Sequence, residues 1–211
     1  MKIVECAQGS YEWHMARLGI PTASGFARIV TPAGRPSAQA DGYLHELVAE
    51  RLLGHPLETE AIGWMDRGLV TEAEAVRYYE MQRECDTRKV GFVTTDHGLA
   101  GCSPDRLVVG ERGSLEIKCP SAAVHVGYML DVEPRKYWPQ IQGALWVTGF
   151  DWLDFLSYCP ELPPALTRYE RDEMFIKVLA EAVGNFSNRL DDAVAKLLPR
   201  VAWLSDEEGA A

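Results

Sequence analysis

Two short segments carry the residue types that metal-assisted phosphate chemistry requires: Ser103-Pro104-Asp105 and Glu116-Ile117-Lys118. In an extended Leu115-Glu116-Ile117-Lys118-Cys119, strand alternation puts Glu116 and Lys118 on one face. Leu115, Ile117 and Cys119 take the other, which is apolar and fit for a core. Glu111-Arg112-Gly113 reads as a hairpin turn, and closing it brings Asp105 beside Glu116 and Lys118. Two carboxylates suit Mg²⁺ or Mn²⁺, hard ions that keep several waters and take further ligands from a substrate phosphate. Such an ion polarises the phosphate and lowers the pKa of a bound water. Lys118 would orient that water, or deprotonate it if burial depressed its own pKa. The Ile117 backbone carbonyl is a further oxygen donor. Taken alone, the same residues also describe a surface ion pair on an exposed strand, so the rest of the chain must decide.

The elements that would position these groups follow from periodicity and punctuation. A brief strand precedes a short helix over Ser10–Leu18, and a second helix starts at Thr22 or Ser24, either of which could cap it. Thr31-Pro32-Ala33-Gly34-Arg35-Pro36 is a loop. Asp41 caps a helix with apolar Leu44, Leu47, Val48, Leu52 and Leu53, ended by Gly54. A further helix covers Ala61–Arg83. Short β-branched strands then span Val90–Thr95, Leu99–Cys102, Arg106–Val109 and Ser114–Cys119. Helices over Ser121–Leu130 and Pro134–Val147, strands Trp152–Tyr158 and Leu166–Arg171, and a long helix Asp172–Leu198 complete the chain. This order predicts an α/β or α+β fold, a central mixed sheet flanked by helices, in one domain over residues 1–211 with an acidic tail from about residue 205.

Composition sets bounds on function. The 211 residues, 47% hydrophobic and 25% charged, suffice to bury a core without disulfides. No apolar run approaches the roughly 20 residues needed to span a bilayer, and the N-terminus lacks a signal-peptide stretch, so a cytoplasmic protein is expected. Five cysteines without a C-x-x-C pair read as reduced thiols rather than a zinc site. A net charge of −10 argues mildly against nucleic acid as a partner. Overall charge nevertheless says little about an enclosed, locally basic track.

With more of the chain in view, the sequence resembles the PD-(D/E)XK nucleases, and within them the lambda-exonuclease or YqaJ-type viral recombinase family. Four blocks carry the resemblance: Glu12-Trp13-His14-Met15-Ala16-Arg17-Leu18-Gly19-Ile20-Pro21-Thr22-Ala23-Ser24; Gly68-Leu69-Val70-Thr71-Glu72; Cys102-Ser103-Pro104-Asp105 with Leu115-Glu116-Ile117-Lys118-Cys119-Pro120; and Gln140-Ile141-Gln142 leading into Leu145-Trp146-Val147-Thr148. The resemblance implies a restriction-endonuclease-like core. In it Asp105, Glu116, the Ile117 carbonyl and the helical Glu72 hold two Mg²⁺ ions, for which Mn²⁺ may substitute. Lys118 serves the attacking water, and Gln140 and Gln142 stand beside the site. Arg17, Ser24 and Ser103 match the positions that grip a 5′-phosphate, a role for which guanidinium suits as a bidentate ligand.

Competing readings stay open at the single-residue level. Glu72 is also one of several solvated helix carboxylates with Glu74 and Glu80. Either glutamine could be a buried amide satisfied by backbone, and Trp13 reads as core rather than as a base-stacking platform. The lambda-type pattern has Asn-Asp where this chain has Ala73-Glu74, and its strand-separating arginine aligns one position from Arg35, leaving Arg35 or Arg28 as the wedge.

Function implied by the resemblance is a 5′→3′ exonuclease on linear double-stranded DNA that leaves 3′ single-stranded tails for phage-type recombination. A ring-shaped homotrimer, a single-strand annealing protein as partner, and a phage or prophage source in a bacterial cytoplasm go with it. A ring with a basic channel would reconcile duplex binding with the net charge. The rivals are an endonuclease or repair nuclease of the same fold, and a non-catalytic DNA-end-binding module.

Overall fold

The computed structural model describes residues 1–57, 65–130 and 135–201. The acidic segment 206–209, the first residues of the helix expected from Ala61, and Pro134 lie outside them.

The site-bearing layer is a five-stranded mixed sheet. Its strands are β2 (Thr87–Arg88), β5 (Arg106–Val108), β6 (Gly113–Lys118), β7 (Trp152–Ser157) and β8 (Ala165–Glu170), in the order β2-β5-β6-β7-β8. β6 and β7 are parallel, Glu116 opposite Phe155 and Lys118 opposite Ser157, and the other pairs are antiparallel. A second, three-stranded antiparallel sheet joins β1 (Lys2–Val4), β3 (Phe92–Thr94) and β4 (Gly101–Cys102). The expected mixed sheet with flanking helices is present, with the first strands set apart as that smaller sheet. β2 was not foreseen, because two polar residues carry no period-2 signal.

Among the described residues, six helices flank the strands: α1 (Tyr11–Arg17), α2 (Ala40–Leu53), α3 (Met65–Arg83), α4 (Ala122–Met129), α5 (Trp138–Thr148) and α6 (Glu173–Val201). Ser10 caps α1, its Oγ accepting from the Trp13 N–H. Two sequence expectations need correction. The second helix is only a 3₁₀ turn, Ala23–Arg28, and Thr22 at its start makes no side-chain cap. Asp41 lies inside the first turn of α2 rather than at its cap, where Gln39 stands, and pairs with Arg189 of α6 at 2.6 Å. An acidic residue in a first turn is favourable there without capping. Gly54 ends α2 as foreseen, with φ 72°.

Two apolar clusters sandwich the sheet. The larger packs α2, α5 and α6 against the side carrying Leu107, Leu153 and Phe155. The smaller packs Ala75, Val76 and Tyr79 of α3 onto Val108, Leu115, Ile117 and Leu156. Leu115 and Ile117 therefore bury towards α3, and Glu116 and Lys118 face the opposite side, as alternation requires. One close approach anchors the 3₁₀ turn. A Cβ on Gly143 of α5 would lie 2.3 Å from the Phe26 ring, so only glycine lets Phe26 seat the turn, and with it Ser24, on α5.

Candidate active site

The hairpin of β5 and β6 sets the first half of the site. Arg106 pairs with Leu115, which places Asp105 next to Glu116 just beyond the ladder. Asp105 Oδ2 accepts the Ile117 N–H at 2.6 Å, so the residue preceding β5 is tied across to β6. Glu116 is 5% exposed. Its Oε1 accepts from Lys118 Nζ at 2.5 Å and from Gln140 Nε2 of α5 at 2.6 Å. Asp105, Glu116, Lys118 and Gln140 therefore meet through three local causes: a hairpin for Asp105, strand alternation for Glu116 and Lys118, and a helix laid over the sheet for Gln140.

Electrostatics separate the members. Burial pushes the Asp105 carboxyl well above the ordinary carboxylate range, and the neighbouring charge of Glu116 adds to it, with Glu72 a further contributor. For Lys118, burial pulls downwards, yet the charge and hydrogen bond of Glu116 outweigh it and the ammonium is held above its ordinary value. Lys118 is thus charged in this arrangement.

Glu72 lies within electrostatic reach of Asp105 and Cys119. Among the described residues, however, no three His, Cys, Asp or Glu side chains are grouped as a ready-made metal cage. The closely set carboxylates are the pair Asp105 and Glu116.

The second half of the site is an arginine pocket opening on the same cleft. A cavity of about 220 Å³ is lined by Arg17, Ser24 and Ser103 together with Asp105, Glu116 and Gln140. Arg17 Nη1 donates to Ser103 Oγ at 3.0 Å, and its guanidinium lies 4.0 Å from the Trp13 ring centre. No carboxylate pairs with Arg17 among the described residues. Burial lowers its pKa, outweighing the opposing influence of Tyr43, Cys102 and the Glu50 carboxylate. Ser24 Oγ meets Thr22 Oγ1 at 3.2 Å.

The remaining expectations divide. Gln142 does not join the cleft: wholly buried, it donates to the Glu170 carbonyl at 2.9 Å and accepts from the Asp172 N–H at 2.8 Å. On a helix, residues two apart point in different directions, so Gln140 and Gln142 cannot share a target. Arg28 is spent on a bidentate pair with Glu46 at 2.6 and 2.7 Å and lies 4.5 Å from the Tyr43 ring centre. Arg35 is exposed in the loop hydrogen-bonded between Thr31 and Arg35. Trp13 is half-buried in the pocket wall rather than in the core. Gln8 was missed altogether. Its amide donates to the Val90 and Pro104 carbonyls, both at 2.9 Å, and pins the loop before Asp105. A glutamine in a polar N-terminal loop gives no sequence signal for such a role.

A profile of the YqaJ-like viral recombinase domain matches residues 12–151. Among solved structures, the alkaline exonuclease LHK-Exo of Laribacter hongkongensis superposes with a TM-score of 0.80 at 32% identity, covering 92% of this chain and 100% of that one. Its complex with dAMP matches with the same values. A phage-related exonuclease of Haemophilus somnus 129PT shares the fold at 15% identity, with a TM-score of 0.67 over 84% of this chain and 96% of that one. A search of curated proteins returned no match. The matched span holds both the arginine pocket and the acidic centre, and the chain belongs to the YqaJ-like viral recombinase domain family.

Proposed function

We propose that this chain is a metal-dependent exonuclease that degrades one strand of linear duplex DNA in the 5′→3′ direction from a 5′-phosphorylated end. The observation that carries the reading is the shared cleft. Arg17, which no carboxylate pairs with directly among the described residues, lines it with Ser24 and Ser103, and so do the buried carboxylates Asp105 and Glu116, the latter bound to Lys118. The arginine and serines suit a terminal phosphate, and the acidic group suits the phosphodiester that follows it. The family membership supports nuclease activity, as does the similarity to an alkaline exonuclease that binds dAMP.

The donor set fits a hard divalent cation. Asp105 and Glu116 present only oxygens, and burial beside Glu116 makes ionising Asp105 costly, a cost that an ion such as Mg²⁺ would relieve. Asp105 and Glu116 would hold it, with the Ile117 carbonyl and Glu72 as further donors. When bound, it would supply charge neutralisation at the phosphate and an acidified water, and two-ion sites do so on both sides of the scissile bond.

The chain's own groups do the rest. Arg17 and Ser103 hold the end phosphate and fix the register of the strand. Lys118 orients the attacking water beside Glu116. Gln140, bound to the same Glu116 oxygen, holds that carboxylate in one rotamer. Catalysis then rests on positioning and electrostatic stabilisation more than on proton abstraction. A 3′ single-stranded tail is the product, suited to a single-strand annealing partner. A homotrimeric ring would keep the enzyme on its duplex and confine basic surface to a channel.

With Mg²⁺, 5′-phosphorylated linear duplex should be digested to mononucleotides from the 5′ end while a covalently closed circle stays intact. Cutting of the circle would overturn the exonuclease reading in favour of an endonuclease. No cutting of either would leave a DNA-end-binding module.

A further inference from the structure

We propose that Trp13 is a positioning residue for the end-phosphate pocket, turning the Ser103 hydroxyl into a donor aimed at the ligand; this rests on the reading of the cleft given above. A serine hydroxyl has one proton and two acceptor lone pairs. At Ser103 both lone pairs are engaged: Oγ accepts from Trp13 Nε1 at 3.0 Å and from Arg17 Nη1 at 3.0 Å. The only valence left is the O–H itself, and among the described residues nothing accepts it. Ser103 lines the cleft, so the proton has the cavity as its outlet.

A hydroxyl that would otherwise rotate among several partners is thereby fixed as a donor. An anion accepts from it, whereas a neutral 5′-hydroxyl group gains much less. Trp13 also holds the second donor. Its ring face lies 4.0 Å from the Arg17 guanidinium carbon, which keeps the planar fork stacked with Nη1 on Ser103. The indole N–H additionally reaches the Gly91 carbonyl at 3.1 Å, so the ring is itself clamped between the small sheet and the pocket. Trp13 touches no reacting atom in this scheme; it acts through Ser103 and Arg17.

Trp13→Phe tests this, because it removes the N–H and keeps an aromatic face under Arg17. The readout is kcat/KM on linear duplex ends bearing a 5′-phosphate divided by that on ends bearing a 5′-hydroxyl. Loss of one oriented, charge-assisted donor should lower that ratio about tenfold in Trp13→Phe. Ser103→Ala should lower it by a similar factor, and the double variant should fall no further, since both changes remove the same donor. Equal losses on both ends in Trp13→Phe, or losses that multiply in the double variant, would overturn the positioning role. An unchanged ratio in Trp13→Phe beside a strong preference in the wild type would overturn it too, leaving the phosphate pocket standing. A wild type indifferent to the 5′-phosphate would instead remove the pocket reading itself, and this inference with it.

Discussion

The chain buries carboxylates on both faces of the same pair of strands, and it treats them in opposite ways. On the α3 side, Asp154 of β7 is wholly buried yet oversupplied with partners. Arg168 binds it through two nitrogens at 2.8 and 2.9 Å, Tyr79 donates at 2.9 Å, and Arg83 stands at 3.2 Å. Arg168 in turn lies 3.6 Å from the Trp152 ring centre. On the other side, Asp105 and Glu116 share one lysine, and burial leaves Asp105 reluctant to ionise. A buried charge that is fully paired belongs to the fold, whereas one left in surplus asks for something the chain does not contain. The phosphate pocket mirrors this with the sign reversed, since Arg17 pairs with no carboxylate among the described residues.

The comparison can be broken in three places, the largest effect first. Lys118→Ala should lower Mg²⁺-dependent digestion by about a thousandfold, the scale of losing a group that serves the attacking water. Its melting temperature should fall modestly, because the buried Glu116 loses the cation beside it, while the fold persists. A variant with near wild-type rates would remove Lys118 from the chemistry.

Asp154→Asn is the converse. It should cost about 2 kcal/mol of stability in denaturant unfolding, below the roughly 3–5 expected when both partners are deeply buried. The discount reflects Arg83 and Arg168, whose side chains are 37% and 40% exposed and can turn to water. Specific activity of the folded fraction should stay within a few fold. If Asp154→Asn abolished activity in a folded protein, the contrast between the two carboxylate sites would be wrong.

The two glutamines give the smallest pair of effects. Gln142→Ala leaves the Asp172 N–H and the Glu170 carbonyl unpaired at the β8–α6 junction and should cost about 1.5 kcal/mol of stability. Gln140→Ala frees Glu116 and should instead lower activity about tenfold with little change in unfolding.

Much of this architecture was legible in the residues, and the unreadable parts have identifiable causes. Strand alternation placed Glu116 and Lys118 opposite Leu115 and Ile117, because a period of two admits only one assignment once a core face is apolar. The Glu111-Arg112-Gly113 turn brought Asp105 to Glu116. Gln142 was misassigned because adjacency in a motif does not fix direction on a helix. Asp154 went unnoticed because its partners come from α3 and β8, far away in the chain. Gln8 and the hydroxyl of Ser103 acquire their places only from three-dimensional neighbours, as does Arg28 in its pair with Glu46, which no spacing rule predicts.

The claim that surplus carboxylate charge marks a cation site is tested most directly by calorimetric titration of Mg²⁺ into the wild type, Asp105→Asn and Asp154→Asn. Saturable binding in the wild type and in Asp154→Asn, weakened at least about tenfold in Asp105→Asn, is the result expected. Equal binding by Asp105→Asn and the wild type would contradict the account.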